Sequence, residues 1–123
     1  MSTTMSTVMD GLAGLVTTVS NVYAWPVEGV TVPCVLVDYP TQDLDFVFTG
    51  AADSWEVPVL YVVGLSGTKD ARDDLSAMVP VLRSELNGVH AFGSVRVTKT
   101  EILPVTVGAV TYLGAKFMCE VIG

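Results

Sequence analysis

The sequence predicts an α+β fold, a mixed or antiparallel sheet with two main helices packed on it, in the order α-β-β-β-α-β-β. Three observations predict it. Apolar residues recur at helical spacing near the N terminus and again in the middle of the chain, an apolar strand ending in glycines precedes the second helix, and two long alternating runs meet at Gly108-Ala109. At 123 residues and 13.0 kDa the chain is a single domain, 1–123. A chain of that length buries roughly two thirds of its unfolded surface.

The first helix is expected over residues 4–21, where Met5, Val8, Met9, Leu12, Leu15, Val16, Val19, Val22 and Tyr23 follow the helical period. Its other face is small and weakly polar, with Gly11, Gly14 and Thr18 among residues that let another backbone approach, and Asp10 its only charge. A solvated helix normally carries Lys and Glu there, so this face is a candidate subunit contact. Residues 25–33 (WPVEGVTVP) read as a connector turning at Glu28-Gly29. Short strands are expected over 32–37 and 44–48, bridged by 41–43, with residues 49–54 as a polar loop.

Residues 55–63 (WEVPVLYVV) form the central strand. Glu56 is its only charge, so both faces are covered along most of its length. Pro58 donates no ladder hydrogen bond and therefore places the early part of the strand at an edge or a bulge. Gly64, Ser66 and Gly67 break the pattern, and Thr68 or Asp70 caps a helix whose stripe is Leu75, Met78, Val79, Leu82 and Leu86. Pro80 predicts a kink or a break near 77–79, because an interior proline costs about 3 kcal/mol. Asn87-Gly88 stops this helix, residues 89–94 read as a turn-rich link, and the strands 95–107 and 110–122 close the chain as a long hairpin, with Pro104 marking a bend or an edge.

Half of the residues are hydrophobic and 15% are charged, a balance that favours self-association. No run reaches the ~18 to 20 apolar residues of a membrane span. The start, MSTTMSTVMD, places no basic region ahead of an apolar core, which argues against a secretory signal. All six Lys and Arg residues stand at Lys69 or later, so the net charge of −7 belongs to the first half. Such a surface repels nucleic acid, and sequence-reading DNA binding is not expected.

Motifs for chemistry are sparse. His90 is the single histidine, and its neighbours Val89, Ala91 and Phe92 place it in a loop or the core rather than in a catalytic device. Cys34 and Cys119 sit in separate apolar runs with no CxxC pair, which predicts buried free thiols in a reducing compartment. Asp43 with Asp45, and Asp73 with Asp74, lack the spacing of a calcium loop and read as solvated acids. The run GLSGTK lacks the GxxxxGK[ST] spacing of a phosphate loop. No catalytic residue, cofactor or metal site is assigned, and Tyr23, Trp25, Tyr39 and Trp55 are expected to fill the core or an interface.

Four stretches together resemble the tail terminators of long-tailed, siphovirus-type bacteriophages. These are the N-terminal helix with VYAWPVEGVTVPCVLV after it, the strand WEVPVLYVV, the helix DARDDLSAMVPVLRSEL, and the ending VTVGAVTYLGAKFMCEVIG, where Tyr112, Gly114 and Phe117 are the most telling. Pro80 departs from the pattern. The resemblance implies a structural virion protein, not an enzyme, that acts without cofactors. It forms a homohexameric ring at the head-proximal end of the tail after assembly in the host cytoplasm. It implies three partners: other copies of itself, the tail tube protein, whose polymerisation it stops, and the head-tail connector protein. DNA passes through the channel without specific binding, and no membrane is involved. Under this reading Asp38, Asp43, Asp45 and Asp53 are candidate channel or ring-contact acids, since a negative wall keeps passing DNA from sticking. Gly11, Gly14, Thr18, Arg96, Lys99 and Lys116 are candidate subunit or tube contacts. The alternatives are another neck or tail-completion protein and a small-ligand-binding domain with a cleft near residues 64–70.

Overall fold

The structure, a computed structural model, describes residues 4–27, 29–43, 54–65 and 69–122. Helix α1 spans Met5–Leu15. Thr4 caps it in extended conformation, its hydroxyl accepting the Thr7 backbone N–H at 3.2 Å, and Val8, Met9 and Leu12 are its buried stripe. The helix ends six residues short of the expected Asn21. The run Val16, Thr17, Thr18, Val19 is β-branched throughout and loses rotamer freedom against a preceding helical turn. Extended backbone suits it better. Val16 and Val19 still reach the core, so the apolar period there marks burial without helix.

The chain continues into strand β1 (Asn21–Tyr23), which pairs in parallel with β2 (Cys34–Val37). Every other pairing is antiparallel, giving the mixed sheet in the order β1-β2-β4-β7-β6-β5, with β3 (Thr41–Asp43) also on β4 (Ser54–Leu65). Residues 41–43 are thus a strand and not a bridge, while the strand expected at 44–48 and residues 49–53 of the loop after it lie outside the described residues, and Ser54, the last residue of that expected loop, opens β4 instead. A parallel pair cannot be joined by a tight turn, and the connection crosses one face of the sheet, where Val30 and Val32 pack. That crossover is pinned at both ends: Asn21 donates its side-chain amide to the carbonyls of Thr31 and Pro33, and the Thr31 N–H reaches the Tyr23 hydroxyl.

Pro58 lies in a central strand, not at a sheet edge. Its carbonyl accepts the Asp38 N–H at 2.9 Å, so its own nitrogen also points toward the β2 side. There β2 has ended at Val37, opposite Val59, and β3 begins only at Thr41, opposite Glu56. The missing donor falls in the gap between two neighbours and leaves the ladder to β7 intact.

Helix α2 (Lys69–Leu86) runs unbroken through Pro80, without the break that was one of the two expectations at 77–79. Ala71, Leu75, Leu82 and Leu86 bury its stripe on either side of the proline, and this packing holds the helix where local propensity opposes it. The helix stops at Leu86, and Gly88 takes up φ 134° to turn the chain into β5 (Gly88–His90). The region read as a link is therefore a short hairpin, β5 against the start of β6 (Gly93–Val107). Beyond it the outer edge of β6 has no neighbour among the described strands. The Val97 N–H is satisfied by the Asn87 side chain at 2.7 Å, and a register shift between Val97 and Lys99 together with Pro104 guards the rest against edge pairing. β7 (Val110–Ile122) returns along the full length of β6, and Gly108, at φ 61°, opens the two-residue turn between them.

Both helices lie on one face of the sheet. There Val35, Val37, Val57, Val59, Tyr61, Ala115, Phe117, Cys119 and Val121 meet Val8, Leu12, Leu75, Leu82 and Leu86 in the main core. Each fully buried Val, Leu or Phe among them contributes about 1.5 to 3 kcal/mol through removal from water. A smaller cluster, Cys34, Leu36, Val62, Val105 and Val107, lies on the opposite face against Val30 and Val32 of the crossover. No helix among the described residues is long and apolar enough to cross a membrane.

Candidate functional site

Strand alternation divides the face without helices into two parts. One end is the small apolar cluster under the crossover. At the other end, side chains alternating with the core residues of β4, β6 and β7 present Glu56, Pro58, Lys116, Met118, Glu120, Arg96, Lys99 and Glu101. Cross-strand register sets their pairing. Arg96 stands opposite Glu120, 3.6 Å away, and Glu101 stands opposite Lys116 while holding Lys99 at 2.8 Å. The hydrogen bond and charge of Glu101 raise the Lys99 ammonium, and Lys99 lowers Glu101, with Lys116 adding to the same effect. These pairs are open to solvent, where each is worth little to stability. Their placement is more informative than their strength, since the Arg96 side chain is 72% exposed against 33% for Glu120. The bases stand outermost.

A pocket of about 300 Å3 opens beside the apolar cluster, lined by Pro26 and Val27 of the crossover, Leu36, Asp38, Leu60 and the end of β6. One oxygen of Asp38 accepts the Tyr39 N–H at 2.8 Å. Trp25 and Tyr39, the chain neighbours of two lining residues, are 58% and 61% exposed. They do not fill the core of this chain, unlike the partly buried Tyr23 and Trp55. No family model, curated protein or solved structure matches the chain. Its surface must therefore be read from its own residues.

The remaining candidates are scattered. The backbone of Asp43 lies in β3 opposite Ser54, and Asp45 and Asp53 lie outside the described residues. Gly11 has a role within the chain: a Cβ there would meet the Phe92 ring at 2.5 Å, so the missing side chain makes room for the β5–β6 turn. Gly14 has nothing within 4 Å and stays open. Thr18 is exposed, and its hydroxyl donates to Glu85 at 2.6 Å.

Glu85 is the residue that sequence reasoning missed. It accepts from the Thr17 N–H at 2.8 Å and from both threonine hydroxyls at 2.6 Å, closing the exit of α1 onto the last turn of α2. Partial burial pushes this carboxyl up, but the hydrogen bonds from Thr17 and Thr18 together outweigh it and hold it below the usual range. The contact spans 68 positions, and no local pattern announces it.

His90 is placed as a helix cap. Its Nε2 lies 3.1 Å from the Leu86 carbonyl and its ring stacks on Phe92, so in the tautomer that donates there it satisfies one of the last carbonyls of α2. Cys34 and Cys119 are buried free thiols, as expected, one on each face of the sheet. Burial pushes them up to about 11 and about 12. Neither is poised as a thiolate nucleophile at neutral pH. Among the described residues no three His, Cys, Asp or Glu side chains converge on a metal position.

Proposed function

We propose that this chain is the ring protein that ends a bacteriophage tail tube. It stacks on the last tube ring, stops further polymerisation and offers a different surface to the head-tail connector, acting without chemistry or cofactor. The observation that carries this reading is the helix-free face of the sheet. It combines solvent-exposed ion pairs, with the bases outermost, and an apolar pocket beside exposed Trp25 and Tyr39. Exposed aromatics beside polar groups are the make-up of protein contact surfaces. Asp38, Asp43, Asp45 and Asp53 belong to the half of the chain without a base, and in a ring they supply the negative wall past which DNA slides.

The test is to add the purified protein to polymerising tube protein and measure tube lengths by electron microscopy. Tubes of uniform, arrested length with a cap at one end are the expected result. Unchanged lengths together with a requirement for the protein in joining heads to finished tails would replace the terminator by another neck component. For the channel acids, replacing Asp43, Asp45 and Asp53 by Asn is expected to slow DNA ejection, and unaltered ejection and head joining would remove that role.

A further inference from the structure

We infer that the pocket between the crossover and β4 is the socket in which a second copy of this chain seats an arginine, and that Arg83 supplies it. This deepens the ring reading by naming one contact through which the ring closes, and it rests on that reading.

The socket suits a guanidinium side chain. Its walls, Pro26, Val27, Leu36, Leu60 and Val105, are apolar and accept the aliphatic stem, and Asp38 provides the carboxylate. One Asp38 oxygen is fixed by the Tyr39 N–H, which orients the group and leaves acceptor capacity for a planar donor. Trp25 and Tyr39, both more than half exposed, are available as faces for a stacked cation.

Charge selects a second copy as the source. Residues 1–68 hold seven acids and no base, and all six bases follow. The sheet order turns this split into geometry, because β1, β2, β3 and β4 form one flank while β7, β6 and β5 form the other, with α2 on the helix layer. Each copy thus offers an acid-only flank and a base-bearing one. Contact between them is heterologous, the kind that builds a closed ring when the rotation returns on itself. Of the three arginines, Arg72 leans on Asp73 and Arg96 on Glu120. Arg83 is exposed in the last turn of α2 and makes no ion pair among the described residues.

The experiment is light scattering of the full chain behind a sizing column, over a concentration series at about 0.1 M and 1 M salt. The variants are Asp38→Asn, Arg83→Gln, the reversals Asp38→Arg and Arg83→Asp, and the two reversals combined. Asp38→Asn keeps the acceptor for the Tyr39 N–H, and circular dichroism verifies that each variant is folded. The expected result is a multimer that loosens in high salt, with a dissociation midpoint raised roughly tenfold or more by either neutral variant. Either reversal abolishes the multimer and the combined swap restores it. A multimer indifferent to both positions overturns the contact while leaving the ring reading in place. Sensitivity to Asp38 without sensitivity to Arg83 overturns the assignment to Arg83. A wild-type monomer at every concentration overturns the contact too, and tube capping then judges the ring reading separately.

Discussion

Replacing Glu85 separates a hydrogen-bonded latch from a surface acid. Its carboxylate receives three short hydrogen bonds, two at 2.6 Å and one at 2.8 Å, from residues at the end of α1. Hydrogen bonds to a charged group contribute about 1.5 to 3 kcal/mol each where water is excluded. Glu85 is only partly buried, so solvent competes, and about 2 to 3 kcal/mol in all is the reasonable sum. For a domain of this size that lowers Tm by about 8 to 12 °C in Glu85→Ala, and by about half as much in Glu85→Gln, which keeps the shape and one acceptor. The pH dependence is the sharper test. Because the folded carboxyl titrates below its ordinary value of 4.5, its stabilisation is complete above that value and is lost as pH falls through the folded one. The gap between wild type and Glu85→Gln, followed by thermal melts, is therefore constant from neutral pH down to about 5 and closes in more acid solution. A gap that persists unchanged at about pH 2 would refute the latch, as would a Glu85→Ala variant melting within about 2 °C of wild type at pH 7.

Two glycines eleven and fourteen residues into the chain are expected to respond in opposite directions. Gly14→Ala, with open space around it, gains about 0.5 to 1 kcal/mol of helix stability, whereas Gly11→Ala drives a methyl into the Phe92 ring and loses about 1 kcal/mol or more, both read from urea denaturation. Gly114→Ala places its Cβ 2.8 Å from the Tyr61 carbonyl oxygen and from Val105, and is expected to cost about 1 to 3 kcal/mol by the same measurement, because the backbone oxygen cannot rotate away. Neither thiol is expected to react with a disulfide reagent at pH 8 in the native protein, and both should do so in denaturant. Rapid native labelling of one equivalent would show that Cys34 or Cys119 is not buried as described.

The periodicities of the chain carried the fold a long way. The stripe of α2, the core of β4 and the hairpin at Gly108 were legible because each is fixed by residues adjacent in sequence, although β4 runs on through Gly64 to Leu65 where the glycine was expected to end it. Boundaries were less so. Val16 and Val19 share the helical period of Val8 and Leu12 and are equally apolar, yet their environment is completed by Glu85, far along the chain, which binds the backbone and hydroxyl of Thr17. The same holds for the candidate contacts. Gly11 and Gly14 have the same composition and the same helix around them, and only the approach of Phe92 from the β5–β6 turn distinguishes them.

What the sequence determined by itself is the α+β class with its broad order of elements, the burial of both cysteines and the segregation of acids from bases along the chain, since these follow from composition and spacing. What the tertiary structure decided is where each is used. Pro58 is admitted to a central strand because β2 ends before β3 begins, and Pro80 to a helix because packing on both sides outweighs one lost hydrogen bond. A division of charge along the chain becomes two flanks of one sheet only through the strand order. Local propensities act over a few residues, whereas these outcomes depend on which distant segment fills the space beside them.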